Sequence, residues 1–192
     1  MSQRHTVVVD EQDRLLDAAR ECVLAVGVRR TTVTDVARRA GVSRMTLYRR
    51  FPDLEGVLAA LMTREFGRLV GEAAGRSEGA TARERVVAMV VHASRALAND
   101  PLFVRLLDVD PELLLPYVTR RLGGMQRIAV AAGAEALSAG DGSVRTDASP
   151  EVLSAGIELI ARGFVLAAQG ELEHGLDPWA ELARAIDGYL RP

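Results

Sequence analysis

One cysteine, no lysine and few aromatic residues (four Phe, three Tyr, one Trp) mark this chain of 192 residues. A lone Cys22 has no partner within its own chain, so there is no disulfide framework and nothing speaks for an oxidising compartment. It falls on the apolar face of the first helical segment, where a free thiol behaves as a small hydrophobe. All 24 basic residues are Arg, a bias compatible with a GC-rich genome and silent on function. Residues 1 to 10 lack the apolar stretch of a signal peptide, and no run of about eighteen apolar residues occurs anywhere. The expectation is a cytoplasmic protein without a membrane partner. His5, His92 and His174 show no metal-ligand spacing, there is no glycine-rich phosphate loop, and no Ser or Cys nucleophile has a recognisable setting. An all-helical enzyme is therefore the weaker functional class, and no metal or cofactor is expected.

Apolar residues make up 48% and charged residues 26%, a globular mixture too apolar for a disordered chain. The length fits one compact unit or a small domain fused to a larger one. Net charge is only -2, but its distribution is uneven. Residues 1–52 hold ten Arg against six acidic side chains, net +4, while residues 53–192 hold fourteen against twenty, net -6. A basic head on an acidic body is the pattern of a phosphate-facing module attached to something else. The expected division is 1–52 and 53–192.

Helix start signals recur, because an N-cap needs a short polar side chain and the first helical position tolerates Pro. Asp100-Pro101, Asp110-Pro111, Ser149-Pro150 and Asp177-Pro178 each precede an apolar-periodic run, and Thr81 with Glu84 forms a capping box. Leu15, Ala18, Ala19, Cys22 and Val26 define a first helix that Gly27 stops. Val33, Val36, Ala37 and Ala40 define a second, with Thr32 as its cap and Gly41 as its end; Ser43 caps a third. The stripe Leu54, Leu58, Leu61, Met62, Phe66, Leu69 and Val70 describes a long fourth helix joining head to body. Further helices are expected near 82–98, 101–108, 112–139 with a break or kink at Pro116, 150–170 and 178–190, with a loop at 140–148. The fold class is all-α, about nine helices, with no convincing strand and no repeat.

The second helix, the turn at Gly41-Val42 and the third helix make a helix-turn-helix, whose second helix is the one that enters a major groove. Val42, Leu47 and Phe51 supply the buried side of that helix, leaving Arg44, Met45, Thr46, Tyr48, Arg49 and Arg50 outward. Arg can reach guanine O6 and N7 bidentately, Thr or Met can meet a thymine methyl, and hydroxyls with helix N-terminal N–H groups can hold phosphate oxygens. The run from Gly27 to Phe51, GVRRTTVTDVARRAGVSRMTLYRRF, closely resembles the DNA-binding signature of the TetR family of transcriptional regulators. It covers roughly a quarter of the chain. The resemblance implies that Thr32 and Tyr48 touch phosphates and that Ser43, Arg44, Met45 and Thr46 lie at or near base edges; Thr34 completes the candidate set. One departure stands out: the family often has a phosphate-binding Lys at the start of the fourth helix, and Leu54 stands in that neighbourhood. Arg49 and Arg50 are the candidates to replace it.

For the body, the resemblance implies a small-molecule pocket and a two-fold dimer. Phe66, Met89, His92, Phe103, Leu107, Tyr117 and Met125 are the pocket candidates, with ordinary core packing as the alternative for each. Gly156, Gly163 and Gly170 recur at seven-residue spacing on one helix, which points to close helix approach between subunits or within one chain. With Ile160, Ala167, Leu182 and Ile186 they form the candidate dimer interface, and Trp179 fits either that interface or the mouth of a pocket. The function expected is a homodimeric repressor on a palindromic double-stranded DNA operator, released by a small, largely apolar effector. The alternatives are a constitutive DNA binder without an effector and, more remotely, an enzyme.

Overall fold

A computed structural model describes residues 2–113, 123–168, 170 and 175–192. These contain nine α-helices, one turn of 3-10 helix and no strand. The helices are α1 (Ser2–Val26), α2 (Val33–Arg39), α3 (Arg44–Arg50), α4 (Leu54–Gly75), α5 (Ala82–Ala98), α6 (Pro101–Val109), α7 (Gly124–Leu137), α8 (Pro150–Ala167) and α9 (Pro178–Leu190). The 3-10 turn, Pro111–Leu113, follows α6.

The local cap chemistry decides most boundaries. Thr81 accepts from Glu84 N–H while the Glu84 carboxylate accepts from Thr81 N–H, completing the capping box of α5. Ser149 accepts from Val152 N–H and Asp177 from Trp179 N–H, each ahead of a Pro in the first turn. Asp110 behaves otherwise. Among the described residues the 3-10 turn Pro111–Leu113 follows it, and its carboxylate reaches across the chain to accept the N–H of Val28 at 2.7 Å. The helix expected from 112 is described only as α7, Gly124–Leu137; Pro116 and Tyr117 lie outside the described residues.

The chain divides into two compact units. The first comprises Met1–Arg64 and Pro101–Arg121, so the helix-turn-helix shares its unit with α6. Its core is built from Leu15, Leu16, Ala19 and Val23 of α1, Val36 and Ala37 of α2, Leu47 of α3, and Val57 and Leu61 of α4, all at 2% exposure or less. At ~25 cal/mol per Å² of apolar surface, each such Leu contributes about 1.5–3 kcal/mol. Gly27 ends α1 with φ +82°, and a Cβ there would stand 2.8 Å from Val109 Cγ1, so the position needs glycine for both backbone and space.

The second unit comprises Glu65–Asp100 and Leu122–Pro192. Here α5, α7, α8 and α9 pack around Val86, Leu137, Leu153, Ile157, Leu182, Ile186 and Leu190. Three of the expected interface positions sit in or against this core. Leu182 and Ile186 are fully buried within their own chain, so neither side chain is available to a second subunit. The tail stripe reads as an interface in sequence because an inward face and an intersubunit face have the same period. Gly156 lies beneath the Tyr189 ring of the same chain, where a Cβ would collide with the Tyr189 hydroxyl. Its smallness therefore serves packing between α8 and α9, whereas Gly163 has open space above it.

Candidate nucleic-acid interface

Short helices such as α2 and α3, seven residues each, are too short to persist alone, so their ends must be fixed by caps and their inner faces by the core. Thr32, in extended conformation, accepts from Asp35 N–H at 3.1 Å and donates its hydroxyl proton to the Asp35 carboxylate at 2.6 Å. At the other end of α2, Gly41 takes φ +69°, Val42 N–H donates to Ala37 C=O and Gly41 N–H to Arg38 C=O. This is the Schellman arrangement that turns the chain tightly into the next helix. Ser43 then caps α3 by accepting from Thr46 N–H at 3.1 Å, with its hydroxyl 3.0 Å from that of Thr46. Leu47, fully buried, and Phe51, 8% exposed, pin α3 inward.

Opposite that anchor, Ser43, Arg44, Met45, Tyr48 and Arg49 are exposed and Thr46 is half-buried. Met45 is 77% and Tyr48 48% exposed, large side chains that the core does not use. Thr32 and Thr34 are exposed on the same helix-turn-helix. Arg50 departs from the outward set: it is 27% exposed and its Nε lies 3.6 Å from Glu11 of α1. Arg49 Nη2 is 3.7 Å from the same carboxylate oxygen but stays 70% exposed. Glu11 carried no local signal in the sequence, since its partners sit on another helix. Arg38 pairs with Asp35 at 2.9 Å and Arg39 with Glu21 at 2.8 Å, which bolts α2 to itself and to α1. Asp53 accepts from Gly56 N–H at 2.7 Å and so opens α4; Leu54 offers no cation there.

Beneath the motif, Asp110 is 1% exposed and holds the loop between α1 and α2 through Val28 N–H, with Arg29 reaching both Asp110 and Glu112. Cys22 is buried in the same unit, and burial pushes its thiol above the usual range against the attraction of Arg39, which keeps it protonated and unreactive.

The pocket candidates fall in both units. Phe66 and Met89 are buried in the second unit and Phe103 in the first, Leu107 and Met125 are half-buried, and Tyr117 lies outside the described residues. His92 is exposed on α5, whose buried face runs through Val86, Met89 and Ala98, so it meets solvent instead of the packed interior. On α8, Ile160 packs partly against its own core, Gly163 and Ala167 are exposed, and so is Gly170 beyond its end. Val152 and Leu159, seven residues apart, stand 59% and 63% exposed on that helix and were not singled out in the sequence. Trp179 leans on its own core with the Arg95 guanidinium 5.9 Å from its ring centre. Among the described residues no helix is long and apolar enough to cross a membrane, and no three His, Cys, Asp or Glu side chains cluster as metal ligands.

The sequence model for bacterial regulatory proteins of the tetR family matches residues 15–61, which span the helix-turn-helix. An uncharacterised HTH-type transcriptional regulator of Mycobacterium tuberculosis is 34% identical over 186 residues, 94% of this chain and 95% of its own. Among solved structures, the Rhodococcus erythropolis transcriptional repressor QsdR superposes with a TM-score of 0.74 at 21% identity over 94% of each chain. The repressor AlkX of a Dietzia species, implicated in biodegradation of n-alkanes, gives a TM-score of 0.68 at 22% identity over 93% of this chain and 94% of its own.

Proposed function

The chain belongs to the TetR family of bacterial regulatory proteins, and from that premise we propose a homodimeric repressor, released from a palindromic operator by a small, largely apolar effector. Membership makes it a DNA-binding transcriptional regulator, in a family of regulators and not of enzymes. The observation that carries the reading is the outward face of α3. Arg44, Met45, Tyr48 and Arg49 are left in water while Leu47 and Phe51 fix the helix beneath them. A cation, two large contact surfaces and a second cation in two turns suit a groove, with phosphate contacts fixing register and Arg44 reading a base edge.

For the dimer, support comes from Val152, Leu159, Gly163 and Ala167, an apolar exposed strip on α8 suited to a mate related by a two-fold axis. For the effector, support comes from the fold it shares with AlkX and from Asp110, which ties α6 to the loop entering α2. A molecule that displaced α6 would pull on that loop directly. A constitutive DNA binder is the competing reading, favoured by Phe66, Met89 and Phe103, which at 5%, 4% and 5% exposure are what ordinary core gives.

Fluorescence anisotropy of a labelled duplex across a salt series tests the DNA face. The affinity of the wild type is expected to fall linearly in log–log form with added salt, and Arg44→Ala to lose discrimination between duplex sequences. Salt-independent binding, or discrimination unchanged in Arg44→Ala, contradicts the assignment.

A further inference from the structure

The end of α3 carries two adjacent guanidinium groups that the structure treats differently. One Glu11 oxygen stands 3.6 Å from Arg50 Nε and 3.7 Å from Arg49 Nη2. Arg50 is drawn in to 27% exposure, whereas Arg49 remains at 70%. Glu11 Oε1 and Arg50 Nε are both shielded from water, and neither makes a hydrogen bond. The contact is therefore a charge attraction between partly buried side chains, with no directional bond to lock it. One carboxylate shared by two cations leaves a single net positive charge at this end of the helix.

We propose that Glu11 is a specificity-determining residue of DNA recognition: by holding Arg50 against α1, it withholds one cation from the phosphates and limits sequence-independent attraction. The proposal rests on the DNA-binding reading above. Phosphate neutralisation supplies nearly all non-specific affinity, while base contacts carry the discrimination. A recognition helix offering Arg44, Arg49 and Arg50 together would bind any duplex more tightly without reading sequence better. With the Glu11 charge removed, the half-buried Arg50 guanidinium loses the counter-charge that draws it inward, and its long side chain swings out to solvent or to a phosphate. Glu11 thus works through Arg50 and touches no nucleotide itself.

The experiment titrates a labelled mixed-sequence duplex over a range of salt with the wild type, Glu11→Gln, Glu11→Ala and the double variant Glu11→Gln/Arg50→Gln. Glu11→Gln is expected to bind more tightly at low salt, with its log–log salt slope steeper by about 0.9, one additional phosphate neutralised. Glu11→Ala, which has no amide to re-form a contact, should give the same change, and adding Arg50→Gln should abolish the gain. A Glu11→Gln slope equal to or shallower than that of the wild type overturns the proposal, as does a gain that survives loss of Arg50. Failure of the DNA-binding reading is a different result, visible in the wild type alone as no salt-dependent binding.

Discussion

Met45 and Tyr48 keep 77% and 48% of their surface in water on the helix that buries Leu47 completely, and that contrast separates a contact face from a packing face. At the same scale, Thr32 has two duties that mutation can separate. Its hydroxyl caps α2 through Asp35, and the family resemblance assigns it a phosphate. Thr32→Ala should cost about 1 kcal/mol of stability, read by denaturant titration, and weaken binding equally across duplex sequences. Tyr48→Phe, which caps nothing, should weaken binding with no loss of stability. Arg44→Ala should instead cost roughly 1–3 kcal/mol on the preferred sequence and relax the preference at one position. Asp141 supplies a pH test in the second unit. Its carboxylate accepts from Ser143 and from Ala82 N–H, which holds its pKa down at about 2 against an ordinary 3.8. A depressed carboxyl pKa means stability fully present above 3.8 and lost as pH falls towards about 2. The melting-temperature gap between wild type and Asp141→Ala should therefore be constant near neutrality and close within that window.

Between elements, the hook from Asp110 to Val28 N–H is the contact to break. Asp110→Ala leaves a shielded N–H without its acceptor, which should cost about 1–3 kcal/mol and loosen the loop that enters α2. Denaturant titration reads the first effect, and weakened DNA binding in the same variant reads the second. This hook also shows why some of the fold was legible in the sequence and some was not. Thr81, Ser149 and Asp177 cap helices through partners two or three residues away, so their roles follow from spacing alone. Asp110 sits in the same Asp-Pro context, but its partner is 82 residues distant, and no local pattern reveals that. Arg50 was placed outward by helical period, and Glu11, on another helix, draws it in. Leu182 and Ile186 carried the right amphipathic signal, but periodicity cannot say whether the face meets its own chain or a second copy. The seven-residue repeat of Val152 and Leu159 was available in the sequence and marks the exposed strip better than the glycines did.

At the scale of the whole molecule, residues 1–52 carry net +4 and residues 53–192 net -6, a charge division that favours DNA approaching the helix-turn-helix segment. If α8 supplies the dimer, Leu159→Glu should place like charges face to face across the two-fold axis and give monomers in sedimentation or light scattering, with the fold intact by circular dichroism. Since Leu159 is 63% exposed, the change removes little from the chain's own core. An effector that releases DNA tenfold needs a coupling of only about 1.4 kcal/mol, and linkage requires DNA to weaken the effector equally. A ligand found by thermal-shift screening, titrated against free and DNA-bound protein, should bind the free form more tightly; equal affinity would leave a constitutive binder. The central claim, two identical α3 helices reading one duplex across a two-fold axis, is tested most directly by selecting bound sequences from a random duplex pool. The expected product is a palindrome whose half-sites are separated by a whole number of helical turns, about 10 base pairs or a multiple. Recovery of a single asymmetric half-site at full affinity, or of no preferred sequence at all, would contradict it.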